Sequence, residues 1–427
     1  MLDLEQGLLS EELSIPIYFA NATAEVMEIH DNIQRSTTDD TAGSASQALL
    51  GAVLGSGYQM AVYGSQSKAI TDVQIANIIG RLQGAGADEQ LPTITLVAHY
   101  DALGLLPDMS FGADSNASGI AALLELLRLF SRLASSSGGA AGFNLLFVAT
   151  GAGKYNYFGS KRFLDDQQES DNSWMQESLF TLCLDSLGLG QELNLHVSKP
   201  PKENSAGSRL FDNLKAAGSS YPGVEVDMVH KKINLAEELL AWEHERYSIR
   251  KLPAFTLSHF KSHREQQLRG SITDDNIDIA VLARNVKIVA ESLAKMVYNV
   301  QNDVFENDLA VSEEHLQVTM EKLTSQPRSA QLIAKKHNSV VTLIEGMVRH
   351  YAKQVKVQYF SPDKRDPEVV FYDATKATMN AYTVKPAVFD LVLTFMILAY
   401  VGTFALAVKN FNQVKSLLSW GTKQKVK

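Results

Sequence analysis

The chain is 427 residues long, with 45% hydrophobic and 20% charged residues, the composition of a globular protein with room for a large core. A formal net charge of −9, with no stripe of lysine and arginine to offset it, argues against a nucleic-acid partner. The single cysteine, Cys183, excludes an internal disulfide framework and a cysteine-based zinc site, and its place in the apolar run Leu179–Leu184 predicts a buried thiol.

In chain order, residues 1–65 read as the remnant of a larger N-terminal segment, with a strand-like run at Ile15–Ala20 and a small-residue helix around Ala45–Leu54. The opening MLDLEQGLLSEELSIPIYFA lacks the basic and then apolar pattern of a signal peptide. Residues 66–300 are regular. Strand-like runs fall at Lys68–Leu82, Thr93–Ala98, Phe143–Ala149, Leu179–Leu184, Leu193–Val197, Val224–Val229 and Ala254–Leu257. Several are continuously apolar, as strands covered on both faces should be. Between them, Ile120, Leu123, Leu124, Leu127 and Phe130 recur at helical spacing in Gly119–Leu133, as do Val281, Leu282, Val286, Val289, Leu293 and Met296 in Ile277–Val300. Strands alternating with helices predict an α/β sandwich with a mostly parallel sheet. Residues 301–385 are helix-like and richly charged, which predicts a helical stalk.

The stalk leads to 386–408, where Val388–Val408 is long and apolar enough to cross a bilayer core of roughly 30 Å as one transmembrane helix. Its one charge, Asp390, lies about a turn inside, and an intramembrane acid is a candidate contact for a polar group on a partner's helix. The tail 409–427 carries Lys409, Lys415, Lys423, Lys425 and Lys427 and no acid, so the positive-inside rule puts it in the cytosol and the bulk of the chain in the lumen. A luminal body without a signal peptide leads us to expect that the true N-terminus is missing.

The residues that suggest chemistry begin at the end of the Thr93–Ala98 strand. His99 and Asp101 are two apart, so their side chains share one side, as a metal ligand and an orienting carboxylate would. Asp114 follows in a loop that opens a helix, and sites of α/β sheets gather at such strand ends. Asn116-Ala117-Ser118 and Asn21-Ala22-Thr23 are N-glycosylation sequons, and a glycan on Asn116 would stand over this cleft. Gly151-Ala152-Gly153-Lys154 falls short of a phosphate loop, because Tyr155 stands where Ser or Thr is required. Trp242-Glu243-His244-Glu245-Arg246 is dense in polar groups and reads as a solvated or partner-facing surface.

The string HYDALG…GADSNASGIAALLELLR resembles the metal-binding signature of the M28-type zinc aminopeptidases, His-x-Asp followed by Gly-Ala-x-Asp-x-x-Ser-Gly at the head of an apolar helix. The resemblance implies the three-layer zinc-aminopeptidase sandwich, with His99 as first ligand, Asp101 as its orienting partner, Asp114 as the carboxylate bridging two zincs and Asp185 as a further ligand. It also implies a Glu-Glu pair after the next strand, and Gly153 and Lys154 stand there instead. A final His is implied where counting reaches Ser271, with His259 and His263 as nearby alternatives. Gly153 has no side chain to take a proton from water, and Lys154 puts a cation where a dication needs an anion. We therefore expect a pseudo-peptidase with no cofactor, a vestigial half-site His99, Asp114 and Asp185, and, as the alternative, a residual zinc aminopeptidase.

Runs beyond the core, among them LHVSKPPKE, MVHKKINLAEELLAWEHERYSIRKLPAFTLSH, KRDPEVVFYD and NAYTVKPAVFDL, are similar to a nicastrin-like branch of that superfamily that has lost peptidase activity. What that similarity implies is a single-pass glycoprotein of the endoplasmic reticulum. It would associate with nodal modulator and a small multi-pass membrane protein, join the translocon that inserts multi-pass proteins, and dampen Nodal signalling.

Overall fold

The computed structural model describes residues 2–11, 14, 17–39, 58–64, 67–85, 91–136, 141–170, 173–175, 177–265, 269–365, 367–373, 376–383, 387–413 and 415–416. The expected helix around Ala45–Leu54 and most of the basic tail lie outside the described residues. Two compact units result, one formed by residues 1–13 with 67–374 and the other by 14–66 with 375–427.

Among the described residues the strands are β1 (Tyr58–Tyr63), β2 (Ile75–Leu82), β3 (Thr93–His99), β4 (Asn144–Thr150), β5 (Ser178–Leu184), β6 (Glu192–Val197), β7 (Glu225–His230), β8 (Ala254–Ser258), β9 (Gln354–Phe360) and β10 (Thr378–Thr383). The first unit carries an eight-stranded sheet in the order β7-β6-β8-β5-β3-β4-β2-β9. Its centre, β8-β5-β3-β4, is parallel, β6 pairs parallel to β7, and the joins β6-β8, β2-β4 and β2-β9 are antiparallel. The central strands are the ones whose sequences are apolar without a break, and every residue of β3 and β4 is buried. That burial needs a cover on both faces. Ile94, Leu96 and Ala98 of β3 turn into a large cluster with the helices Gly119–Ser136, Ala206–Gly218 and Ile279–Val297. Val97 points the other way, to a smaller cluster with Phe163 and Leu164 of the helix Phe158–Glu169 and Tyr247 of His244–Ile249. The three layers are those the sequence implies.

Residues 301–373 overturn the expectation of a stalk. The helix Glu313–Thr324 buries Leu316, Met320 and Leu323, and Ser339–Tyr351 buries Val340, Val341, Ile344 and Val348, all in the main cluster. β9 then runs antiparallel to β2, from Ile75 opposite Phe360 to Arg81 opposite Gln354, and completes the sheet edge. At Gly80 the second of these helices comes so close that a Cβ would lie 2.6 Å from Val348 Cγ1. Most of the charges that suggested a stalk lie on the outer faces, with the buried Arg328 as an exception. The boundary expected at 300 therefore lies beyond β9, and residues 2–11 belong to the same unit.

A buried ion pair fastens this late segment. Glu125, fully buried in the Gly119–Ser136 helix, takes Arg128 Nη2 at 2.6 Å and Nε at 2.8 Å, together with His315 Nδ1 at 2.8 Å and the Ser312 N–H at 2.9 Å. Burial opposes the carboxylate's charge, but Arg128 and His315 outweigh it and hold its pKa below the usual range.

The second unit contains the helix Ala24–Asp39, a two-stranded antiparallel ribbon of β1 and β10, and the helix Ala387–Lys409. The described part of the expected Ile15–Ala20 strand, residues 17–20, has no regular structure. Val388–Lys409 is long and apolar enough to cross a membrane, and none of its apolar window is buried against protein. Asp390 is exposed in its first turn.

Replacing Glu125 with Ala strands Arg128 without its carboxylate, and a broken buried pair typically costs about 3–5 kcal/mol. The urea midpoint of Glu125→Ala should fall accordingly, while the neighbouring exposed change Ser135→Ala, on the same helix, should leave it nearly unmoved.

Candidate functional site

The carboxyl ends of the four central parallel strands converge, and the candidate residues stand on the segments that leave them. β3 ends in His99 and leads to Asp101, β4 leads into the turn 151–157, β5 into Asp185 and Ser186, and β8 into His259. Asp114 sits in the kinked segment Ala113–Ser118 that opens the Gly119–Ser136 helix.

Asp114 is the best connected. Its Oδ1 accepts from the Gly188 N–H at 2.8 Å, and Oδ2 lies 2.8 Å from His259 Nε2. Beside it, Asp274 accepts the Asp114 and Ser115 N–H groups at 2.7 and 2.9 Å, and burial pushes its pKa up to about 6. Asp185 is fully buried and held by Arg269 Nη2 at 2.5 Å and by Ser186 Oγ at 2.9 Å. Burial opposes its charge, but the guanidinium more than compensates and sets its pKa well below the carboxylate range. Arg269 also donates to Tyr157 Oη at 2.9 Å and lies over the Trp242 ring at 4.2 Å.

Lys154 points inward. Its Nζ donates to Ser115 Oγ at 2.5 Å and to the Arg269 carbonyl at 2.6 Å, and burial lowers its pKa to about 8. The turn that carries it is tightly folded, with Ala152, Asn156 and Tyr157 all at positive φ (53°, 55° and 54°). Such conformations persist only where the surroundings fix them. Asp101 does the fixing, taking the Gly153 N–H at 2.6 Å and the Lys154 N–H at 3.0 Å. Its expected role as the partner of His99 is thereby corrected, for both its oxygens are spent on the turn.

His99 instead lies with Nδ1 3.4 Å from Glu243 Oε2, and its Nε2 has no partner among the described residues. Glu243 also accepts from Ser160 Oγ at 2.6 Å and Thr150 Oγ1 at 3.0 Å. This overturns the reading of Trp242–Arg246 as a solvated surface. Trp242, Glu243, His244 and Glu245 are all buried, and burial lowers the His244 pKa to about 3, so its ring is neutral and bonds Thr256 Oγ1. The segment was missed because a run of charged residues looks alike whether water or buried hydroxyls satisfy it. The surrounding Ala241, Leu240 and Tyr247 were the available signal.

Of the three candidates for a final ligand, His259 reaches Asp114, whereas Ser271 bonds Glu5 Oε2 at 2.7 Å and Thr273 Oγ1 at 2.8 Å. His263 stands half-buried outside the cluster. Glu5, from the helix Leu2–Ser10, further accepts the Leu105 N–H at 2.8 Å, and its helix lines a cavity of about 370 Å³ with Leu103, Lys154, Tyr157 and Leu239.

These residues do not fit a dinuclear zinc centre. Asp185 is neutralised by Arg269, Asp114 is bonded to His259, and the Lys154 ammonium lies against Ser115 and the Arg269 carbonyl. Among the described residues no three His, Cys, Asp or Glu side chains converge as a metal would require. Gly153 cannot be traded for an acid in this backbone, because its Cβ would lie 2.2 Å from His99 Cβ.

The sequon at Asn116 is likewise corrected. The residue is fully buried, its Nδ2 donates to the Leu184 carbonyl at 2.8 Å, and its Oδ1 accepts the Ser186 and Gly119 N–H groups, both at 3.1 Å. The nitrogen that would carry a glycan is thus inside the protein and used. Asn21 is exposed.

The loop of Asp114 is anchored from far along the chain. Arg328, fully buried, donates to the carbonyls of Tyr100 at 2.5 Å, Gly112 at 2.6 Å and Phe111 at 2.8 Å, while burial lowers its pKa to about 10.

Peptidase family M28 matches residues 77–232. BOS complex subunit ncln of Danio rerio is 45% identical over 452 aligned residues, covering 100% of this chain and 79% of that protein. BOS complex subunit NCLN of Homo sapiens is 46% identical over 96% of this chain and 75% of its own length, and Nicalin of Caenorhabditis elegans is 28% identical over 94% and 74%. Among solved structures, nicastrin, a component of gamma-secretase, superposes with a TM-score of 0.56 at 13% identity, over 84% of this chain and 77% of that one. That likeness speaks to the fold.

Two outcomes follow from the packing. Restoring both carboxylates with Gly153→Glu and Lys154→Glu should lower thermal stability by roughly 1–3 kcal/mol or more through overpacking, and zinc should not raise the melting temperature of either protein in scanning fluorimetry. Peptide mapping of protein made in secretory cells should find Asn116 unmodified, and Asn116→Gln should change the folding yield and not the glycan mass.

Proposed function

The chain belongs to the nicalin family, and we propose that it serves as a non-enzymatic scaffold subunit of a membrane complex, with an M28-type domain that has exchanged its metal site for internal ion pairs. The observation that carries this reading is the Lys154, Arg269 and Asp185 cluster. Two side-chain cations stand among the carboxylates that a dinuclear site needs free, and a tight turn at Gly153 fills the place of a general base. A buried guanidinium–carboxylate pair holds the strand ends together without any exchangeable ion, which suits a domain kept for its shape. The alternative, a residual zinc aminopeptidase, lacks both an available ligand set and a base.

The complex we infer is the BOS complex of the relatives' names. In this reading nodal modulator and a small multi-pass membrane protein are the partners, the translocon for multi-pass proteins is the place of work, and antagonism of Nodal signalling is a further output. The helix Ala387–Lys409 anchors the chain once in the endoplasmic reticulum membrane, and the lysines after it favour a luminal body and a cytosolic end. Asp390 offers a polar contact to a partner's helix, and Asn21 is the sequon free to carry a glycan.

The decisive experiment purifies the full chain in mild detergent and measures bound zinc, aminopeptidase turnover and co-purifying proteins together. We expect no zinc, no turnover with or without added metal, and nodal modulator in the eluate. Asp390→Leu should weaken the association, whereas His99→Ala in a still-folded protein should not. Turnover abolished by His99→Ala would instead establish the peptidase.

A further inference from the structure

The β1–β10 ribbon is an isolated pair of strands, and two strands alone are marginal in water without something to cover them. Their sequences, YQMAVY and TMNAYT, contain no charged residue. Register puts Gln59 opposite Tyr382, Ala61 opposite Asn380 and Tyr63 opposite Thr378, so these six side chains share one face. Tyr58, Met60 and Val62 share the other, where the helix Ala24–Asp39 makes contact through Asn32 Nδ2 and the Tyr58 hydroxyl at 3.1 Å. On the tyrosine face Tyr63 and Tyr382 are 60% and 51% exposed. β10 ends at Thr383 and the apolar helix begins at Ala387. Four residue steps span at most about 14 Å, so the end of the ribbon cannot leave the headgroup zone by more than that.

The geometry points to a lipid-binding surface: the Tyr63 and Tyr382 face of the ribbon lies on the bilayer interface. Tyrosine is enriched at that depth because its ring prefers the acyl boundary while its hydroxyl stays wet. A face without charges avoids the larger cost of desolvating an ion. A luminal protein partner would be offered the same face, but nothing else ties the ribbon to a protein, whereas the chain itself ties it to the membrane. The inference rests on Ala387–Lys409 spanning the bilayer, and the test separates the two.

Single cysteines placed at Gln59, Thr378, Tyr400 and Leu235 in the full chain can each carry an environment-sensitive fluorophore, since the native Cys183 is buried. Gln59→Cys and Thr378→Cys report the tyrosine face with both tyrosines retained, Tyr400→Cys reports the middle of the apolar helix, and Leu235→Cys reports an exposed site on the α/β body. The labelled chains are reconstituted in phosphatidylcholine vesicles bearing a spin-label quencher either near the headgroup or deep in the acyl chain. We expect the shallow quencher to remove most of the emission at Gln59 and Thr378, the deep one to do so at Tyr400, and neither to affect Leu235. Deep quenching at Tyr400 with Gln59 and Thr378 behaving as Leu235 does would overturn the ribbon's placement and leave the span standing. Absence of deep quenching at Tyr400 would overturn the span, and the ribbon's placement with it.

Discussion

A carboxylate taken out of water at the end of a buried strand has to be neutralised, and here Arg269 does it for Asp185 at 2.5 Å. The penalty for leaving either charge unpaired is several kcal/mol, so both groups must be delivered to one point by separate segments. Asp185 comes from the end of β5 and Arg269 from the loop after β8. The guanidinium is stacked on Trp242 and bonded to Tyr157, which draws in the 241–247 segment and the turn after β4. Lys154 then closes the gap between that turn and Ser115. In this chain side chains alone tie these segments together.

The neighbouring polar groups are bonded in their turn. Asp101 has both oxygens on the turn, Glu243 faces His99, and His259 covers Asp114. Each of these groups has a partner among backbone N–H groups or imidazoles, as buried polar atoms need. Among the described residues His99 Nε2 has no partner, as is also true of Arg269 Nε and His244 Nε2, and His99 lines the cavity beside Lys154.

The α/β core was legible in the sequence because its central strands are apolar without interruption, as in TITLVAH and NLLFVAT, and its helices repeat at helical spacing. β9 was not. QVKVQYF alternates as a half-covered edge strand does, but it follows a long helix-like and charged stretch that masks the signal. The helix Glu313–Thr324 reads as charged because only Leu316, Thr319, Met320 and Leu323 turn inward. At the site, the signature around His99 and Asp114 located the strand ends correctly, while the counterparts of Glu243 and Arg269 lie far along the chain and carry no local motif. Asn116 shows the limit most plainly. A sequon records which residues are adjacent, and burial is decided by the Leu184 carbonyl and Ser186 N–H that meet it from another strand.

Arg328 ties the loop at Gly112 to a residue made more than two hundred positions later, and β9 closes the sheet later still. During synthesis the amino-terminal strands leave the ribosome first. They have neither their edge nor their clamp until residue 360 is out. The apolar helix that begins at Ala387 follows closely behind. Completion of the domain and synthesis of the long apolar helix therefore fall within one short interval of translation, and a pause before it would leave the sheet unclosed.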